Sequence, residues 1–171
     1  RRNLERLCGC SVRGMSYPMG TYNEDVLTAL RASGIVYSRT VEATRNFALP
    51  QDFLRWHPTA HQSHGILELA DQFLGRNHPL DLFYLWGHSF EYDRESAPAT
   101  WNLIEEFCEK MSGNDAIWYA TNIEIYDYVM AQRSLYFSVD KDRVTNPSAL
   151  SVWLLADGVP VEIPGGTTKT L

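Results

Sequence analysis

Several things this sequence lacks narrow what it can be. No apolar run approaches the roughly 18 residues that a membrane-spanning helix requires, so no span is expected. Lys and Arg number 15 against 21 Asp and Glu, a net charge of −6, and they form no basic cluster. A nucleic-acid backbone is therefore not the expected main partner, because phosphate binding needs concentrated positive charge. Cysteine is scarce: Cys8, Cys10 and Cys108 allow at most one bridge within the chain and leave a thiol over. The C-x-C pair reads as structural or incidental and Cys108 as a core residue. The opening RRNLERLCGCSVRG has neither an initiator methionine nor the apolar core of a signal peptide. Its charged, helix-favouring residues read as the last turns of a helix already under way, so the chain is expected to begin inside a domain. Internal repeats, low-complexity tracts and linkers are also missing.

What is present is a chain of 171 residues with 44% hydrophobic content, enough for one domain around a single core. Its pattern alternates helix and strand. NEDVLTALRASG offers Asn23 as an N-cap, Glu24 and Asp25 in the first turn, apolar Val26, Leu27 and Leu30, and Gly34 as the stop. IVYSRT comes next as a strand, and GILELADQFLG as a second helix with Ile66, Leu67, Leu69, Ala70, Phe73 and Leu74 on one stripe. LDLFYLW is the nearly continuous apolar run of a strand buried on both faces of a parallel sheet. TWNLIEEFCEKMSG predicts a helix with Trp101, Ile104, Phe107, Cys108 and Met111 inward, and AIWYAT another strand. Thr121 and Glu124 then form a capping box opening a helix through NIEIYDYVMAQR. Repeated βα units are the implied architecture. After Arg133 the texture changes to short strand-like runs with an Asp157-Gly158 hairpin signal, read as an antiparallel β appendage. The boundaries are thus residues 1–132 for the βα part and 133–171 for the appendage.

Two segments carry the chemistry, because βα folds collect their sites at the C-terminal ends of strands. One is GMSYPMGTYN, joining a strand at CSVRG to the capped helix. The other is LFYLWGHSFEYD, whose buried strand delivers His88 at its tip with Glu91 and Asp93 close behind. An imidazole beside carboxylates that orient it is where a general acid or base would sit. A third segment, RWHPTAHQSHG, spaces His57, His61 and His64 as H-x-x-x-H-x-x-H. On a helix that spacing puts three imidazoles on one face, as a divalent metal would require. Pro58 opposes such a helix, since it lacks an N–H and pushes His57 out of helical geometry. A polar loop at the rim of a site is the plainer reading. His78 reads as surface, and most of the aromatic residues, Trp101, Trp118 and Trp153 among them, as core.

SYPMGTYNEDVLTALRASGIVYSRT resembles the third motif of the polysaccharide deacetylase (NodB-like) domain, carbohydrate esterase family four. There a Tyr-Pro-aromatic-Gly turn precedes an Asn-capped helix and a Gly-started strand. LFYLWGHSFEYD is similar to that family's fifth motif, a strand ending in a catalytic His, and IWYATNIEIYDY to the segment after that strand in one branch of the family. The resemblance covers at least Val12 to Ala131. It implies metal-dependent hydrolysis of acetyl groups, N-acetyl above all, on an acetylated polysaccharide or oligosaccharide, often by secreted or envelope proteins. It implies His88 as the general acid and the Met19 amide as the oxyanion donor. Tyr17, Pro18 and Gly20 would shape that turn, and Leu85 and Trp86 would wall the acetyl pocket or the His. Asp52 and Trp56, in LPQDFLRWHPTAH, correspond to the bracing pair of the fourth motif.

The family's Asp-Asp strand and His-x-x-x-His box, which hold a divalent cation, most often zinc, have no counterpart before Arg13. HPTAH has the letters of that box but lies on the wrong side of the third motif. The expected fold is therefore an incomplete, distorted NodB-like (β/α) barrel with a C-terminal antiparallel β appendage, inactive alone, with the cation's ligands outside this chain. Two other readings stay open: a non-catalytic carbohydrate-binding domain, and a hydrolase with its own metal site at His57, His61 and His64.

Overall fold

Asn23 begins the helix that sets the first βα unit. Its side chain accepts a hydrogen bond from the Val26 N–H at 2.9 Å, and the helix α2 (Glu24–Ala32) buries Leu27 completely. An earlier helix, α1 (Arg2–Cys8), is closed by Gly9 in the left-handed conformation. The computed structural model describes residues 1–94 and 98–171, which form a mixed α/β structure of five helices and several small sheets. No closed barrel occurs among the described residues, and none of their helices is long and apolar enough to cross a membrane. The chain divides into two units, Arg1–Trp118 and Tyr119–Leu171. The helix after Thr121 thus belongs with the β-rich tail, whereas composition placed the boundary after residue 132.

In the first unit the strands are short, parallel and ordered as in the sequence. β1 (Gly14–Ser16) pairs with β2 (Tyr37–Arg39), Gly14 opposite Tyr37 and Ser16 opposite Arg39. On the other side of β2, Trp56 forms a parallel bridge with Arg39. Its N–H donates to the Ser38 carbonyl at 3.1 Å, and its carbonyl accepts from the Thr40 N–H at 3.0 Å. The stretch that starts at Trp56 continues into β3 (Ala60–His61), which pairs in parallel with β4 (Leu85–Trp86). Parallel neighbours need a crossover; α2 supplies that from β1 to β2 and α3 (Ile66–Leu74) that from β3 to β4, while residues 40–55, with one 3-10 turn, carry the chain from β2 to Trp56. Because the strands run the same way, the residues after each of them lie along one edge of the succession.

Two apolar clusters support this wall. Tyr17, Leu27, Ile35 and Leu54 form one. Phe47, Ala60, Ile66, Leu69 and Ala70 form the other, completed by Phe107 and Met111 of α4 (Trp101–Met111). Trp56 is fully buried, its ring 5.0 Å from Phe53, 5.6 Å from Tyr37 and 4.7 Å from Tyr84 between centroids.

Several expected elements are corrected. LDLFYLW pairs only at Leu85–Trp86 and is half-buried, not buried on both faces. The next expected strand, AIWYAT, does not form. The Asn114 side chain accepts from the Ala116 N–H at 2.9 Å, and its carbonyl from the Ile117 N–H at 2.9 Å. This local turn captures donors that a ladder would have used. Trp118 is consequently 58% exposed, and Trp101 and Trp153 are also about half exposed, so these three indoles are not core. Cys108 is exposed rather than buried, because Phe107 and Met111 take the inward positions of α4. Cys8 and Cys10 are free thiols with their sulfurs 3.1 Å apart.

The second unit begins with α5 (Asn122–Arg133). The Glu124 carboxylate accepts from the Thr121 N–H at 2.7 Å, the return bond of the expected capping box, and also from the Thr121 hydroxyl at 2.6 Å. All strand pairing in this unit is antiparallel. β5 (Tyr136–Phe137), β6 (Arg143–Asn146) and β9 (Thr167–Thr170) form one sheet, with β6 central. β7 (Val152–Ala156) and β8 (Val159–Ile163) form a hairpin. Asp157 and Gly158 turn it with φ of 50° and 81°, the positive values that a two-residue primed turn demands. Buried Asn146 is satisfied: its amide donates to the Leu150 and Ile163 carbonyls, and its oxygen accepts from Ser148.

Candidate functional site

The register that places His61 opposite Trp86 brings the ends of β3 and β4 together. The Gln62 N–H donates to the Trp86 carbonyl at 2.9 Å, continuing the ladder by one bond. Gly87 must lack a side chain here, since a Cβ would lie 1.9 Å from Gln62 Oε1. The buried Gln62 amide runs through that space and donates from Nε2 to the His88 carbonyl at 2.9 Å and to Glu91 Oε2 at 2.8 Å. A single 3-10 turn over Ser89–Glu91 folds the carboxylate back over the strand ends. Glu91 Oε1 then lies 3.3 Å from His88 Nδ1, and Oε2 lies 3.1 Å from His61 Nε2. His61 Nδ1 is 2.8 Å from the Ser63 hydroxyl. One carboxylate therefore spans two imidazoles from neighbouring parallel strands.

The two histidines differ in setting. The His61 side chain is 14% exposed and that of His88 48%. Burial, outweighing the opposing pull of Glu91, holds the His61 imidazole below the usual histidine range. His61 meets the edge of Trp86 at 4.6 Å between centroids, and Phe90 lies 5.1 Å from His88. The Arg39 guanidinium sits 4.0 Å over the Trp86 ring. Trp86 Nε1 is buried without a hydrogen-bond partner among the described residues. Leu85 is half-buried beside it.

The turn after β1 lies at the same edge of the strand succession, three strand intervals from β4. Pro18 and Met19 make a tight turn rather than helix, since Met19 has non-helical backbone angles. The Gly20 N–H closes the turn onto the Tyr17 carbonyl at 3.0 Å. The Met19 N–H sits at the centre of that turn and takes no part in the closing bond. Met19 also has φ of 58° and a 93% exposed side chain. A positive φ outside glycine is a strain that such turns carry at binding sites. Tyr17 anchors the turn from beneath: it is buried, and its hydroxyl donates to the Leu54 carbonyl at 2.8 Å.

The remaining sequence candidates disperse. His57 and His61 are not on one helix, because His61 ends β3 and Pro58 precedes it in extended chain. His57 Nδ1 lies 2.7 Å from the Thr40 hydroxyl, and His64 Nδ1 accepts from the His61 N–H at 3.4 Å. Among the described residues, the group whose ligand atoms all fall within 4.8 Å of one another is His61, His88 and Glu91, not His57, His61 and His64. Asp52 caps the 3-10 turn Phe53–Arg55 through the Leu54 N–H and pairs with Arg55. Trp56, wholly buried, belongs to the core and not to a cleft. His78 pairs with Asp81 at 3.2 Å on the exposed side of the fold. Sequence reading missed Gln62, Ser63 and Arg39. The three-residue spacing from His88 to Glu91 was the available signal for the carboxylate, whereas Gln62 acts only through the β3–β4 register.

Gly87→Ala is expected to drive Gln62 from its place and release Glu91. Gly87 is itself exposed, so the cost, about 1–3 kcal/mol, is that of buried polar groups left without their bonds when Gln62 moves, read as a lowered urea midpoint. An unchanged midpoint would refute this account of Gly87.

No protein-family model matches the chain, and no match was found among curated proteins or solved structures.

Proposed function

We propose that this chain is the C-terminal portion of a metal-dependent polysaccharide deacetylase, an open stretch of a distorted NodB-like (β/α) barrel. Its substrate would be an acetylated amino sugar within a polysaccharide or oligosaccharide, and its reaction hydrolysis of the N-acetyl group. The observation that carries this reading is the placement of two chemical groups at the C-terminal ends of sequentially ordered parallel strands. One is the strained Tyr17–Gly20 turn after β1 and the other is His88 after β4.

In this reading each part has a task. An amide leaves poorly as an anion, so its nitrogen needs a proton. With Nδ1 of His88 facing Glu91 Oε1, the half-exposed Nε2 edge is the one that can deliver it. The Met19 N–H, which takes no part in the closing bond of its turn, would donate to the oxyanion of the tetrahedral intermediate. Leu85 and Trp86 would wall the acetyl group, with Trp86 fixed between Arg39 and His61.

A divalent cation, zinc by the family's preference, would supply an activated water and polarise the carbonyl. The residues present do not fit that ion. The family's set is one Asp and two His with a second Asp as base. Among the described residues the group that closes is instead His61, His88 and Glu91, which would use the acid itself as a ligand. The reaction's cation would therefore be held by residues outside this chain.

The test is acetate release from N-acetylglucosamine oligosaccharides by the complete native protein containing this chain. One free amine should appear per acetate. Glycan binding without acetate from either N- or O-acetylated substrates would overturn the reading.

A further inference from the structure

We propose that His61, His88 and Glu91 form a binding site for one zinc-class divalent cation, separate from the ion of the reaction proposed above. The geometry is the first argument. Ligands held about 2.0–2.2 Å from zinc in a tetrahedral arrangement stand roughly 3.3–3.5 Å apart. Here Glu91 Oε2 lies 3.1 Å from His61 Nε2 and its other oxygen, Oε1, 3.3 Å from His88 Nδ1, and one ligand atom from each residue lies within 4.8 Å of the others. Rotation of the carboxylate and the half-exposed His88 ring would close the three on an ion.

The donor set is the second. Two imidazoles and one carboxylate suit zinc, cobalt or nickel rather than magnesium or calcium, which prefer oxygen cages. Three protein ligands with a half-exposed His88 leave a fourth position open to water.

The outer contacts are the third. Metal-ligating histidines commonly donate their other ring N–H to a fixed acceptor, and ligating carboxylates are themselves hydrogen-bonded. Ser63 holds the outer edge of the His61 ring, its hydroxyl 2.8 Å and its N–H 3.4 Å from Nδ1, which orients Nε2 toward Glu91. Buried Gln62 holds Glu91 Oε2 through Nε2, and Gly87 keeps the space that Gln62 occupies. The ligands thus hang from a register rather than from a mobile loop.

A cation bound here would engage both His88 Nδ1 and Glu91, so a loaded site no longer offers His88 to the reaction. Zinc in excess would then inhibit the deacetylation; this consequence alone rests on the function proposed above.

The test is a cobalt(II) and zinc(II) titration of the metal-stripped chain in a Cys8→Ser, Cys10→Ser, Cys108→Ser background. The exposed thiols of Cys8 and Cys10 are themselves candidate zinc ligands, and the background removes them. One equivalent should bind, with the visible absorption of tetrahedral cobalt. Glu91→Gln should weaken binding at least about tenfold, and Gln62→Leu by about 10–100-fold, as for other outer-contact changes. His88→Gln, at an exposed position, provides a second ligand variant should Glu91→Gln fail to fold. Absence of stoichiometric binding in the cysteine-free chain overturns the proposal. So does binding that either ligand variant leaves unchanged. Neither result touches acetate release, and a protein that releases no acetate can still bind the ion.

Discussion

His88→Gln in the complete native protein should lower kcat for acetate release by about 10²–10⁴-fold, the usual contribution of a positioned general acid. KM should change far less, because the imidazole acts on the departing nitrogen and not on the resting sugar. Glutamine keeps the size and the hydrogen-bonding capacity toward Glu91 while removing the proton donor on the outer ring edge. A variant retaining wild-type kcat would remove His88 from the chemistry and, with it, the main support for the deacetylase reading.

The second large effect is on stability. Trp56→Ala should cost about 3–5 kcal/mol, the range for truncating a buried large aromatic. Trp56 packs among Phe53, Tyr37 and Tyr84. It also makes the parallel bridge that links β2 to the stretch entering β3. Its Nε1 is buried without a partner among the described residues, so Trp56→Phe removes an unsatisfied donor while keeping an aromatic ring, and should cost much less than alanine. Urea unfolding of the three proteins measures both. The outcome also separates two roles for the residue. A tryptophan bracing substrate in a cleft would lose sugar binding on truncation with little change in stability; the buried position requires the reverse.

Helix boundaries were legible because their determinants are local. Asn23 and the Thr121/Glu124 pair announce helix starts within a single turn of chain, and both side chains make the bonds that their spacing implies. The Asp157-Gly158 turn is equally local, since it needs only two residues that tolerate positive φ. AIWYAT shows where such reading stops. Its composition favours a strand, but a strand exists only with a neighbour to accept its ladder, and the Asn114 turn claims the donors first. Burial of α4 failed for the same reason. A helical stripe admits several rotations, and packing against α3 chose the one that covers Phe107 and Met111 and leaves Cys108 in solvent.

By itself the sequence determined the alternation of helix and strand in the first unit, the antiparallel tail, and His88 at the tip of a strand beside an acid. Each arises from residue spacing over one or two turns or one strand. Tertiary structure alone decided which histidines meet. His57, His61 and His64 are neighbours in sequence, yet Pro58 and the β3 geometry send His57 to Thr40. The partner of His61 comes instead from thirty residues downstream, because the β3–β4 register sets His61 opposite Trp86 and a single 3-10 turn returns Glu91 to both rings. A parallel register is fixed by long-range hydrogen bonds and by the burial of Gln62 in the space that Gly87 leaves open, and none of these leaves a periodic trace in the chain.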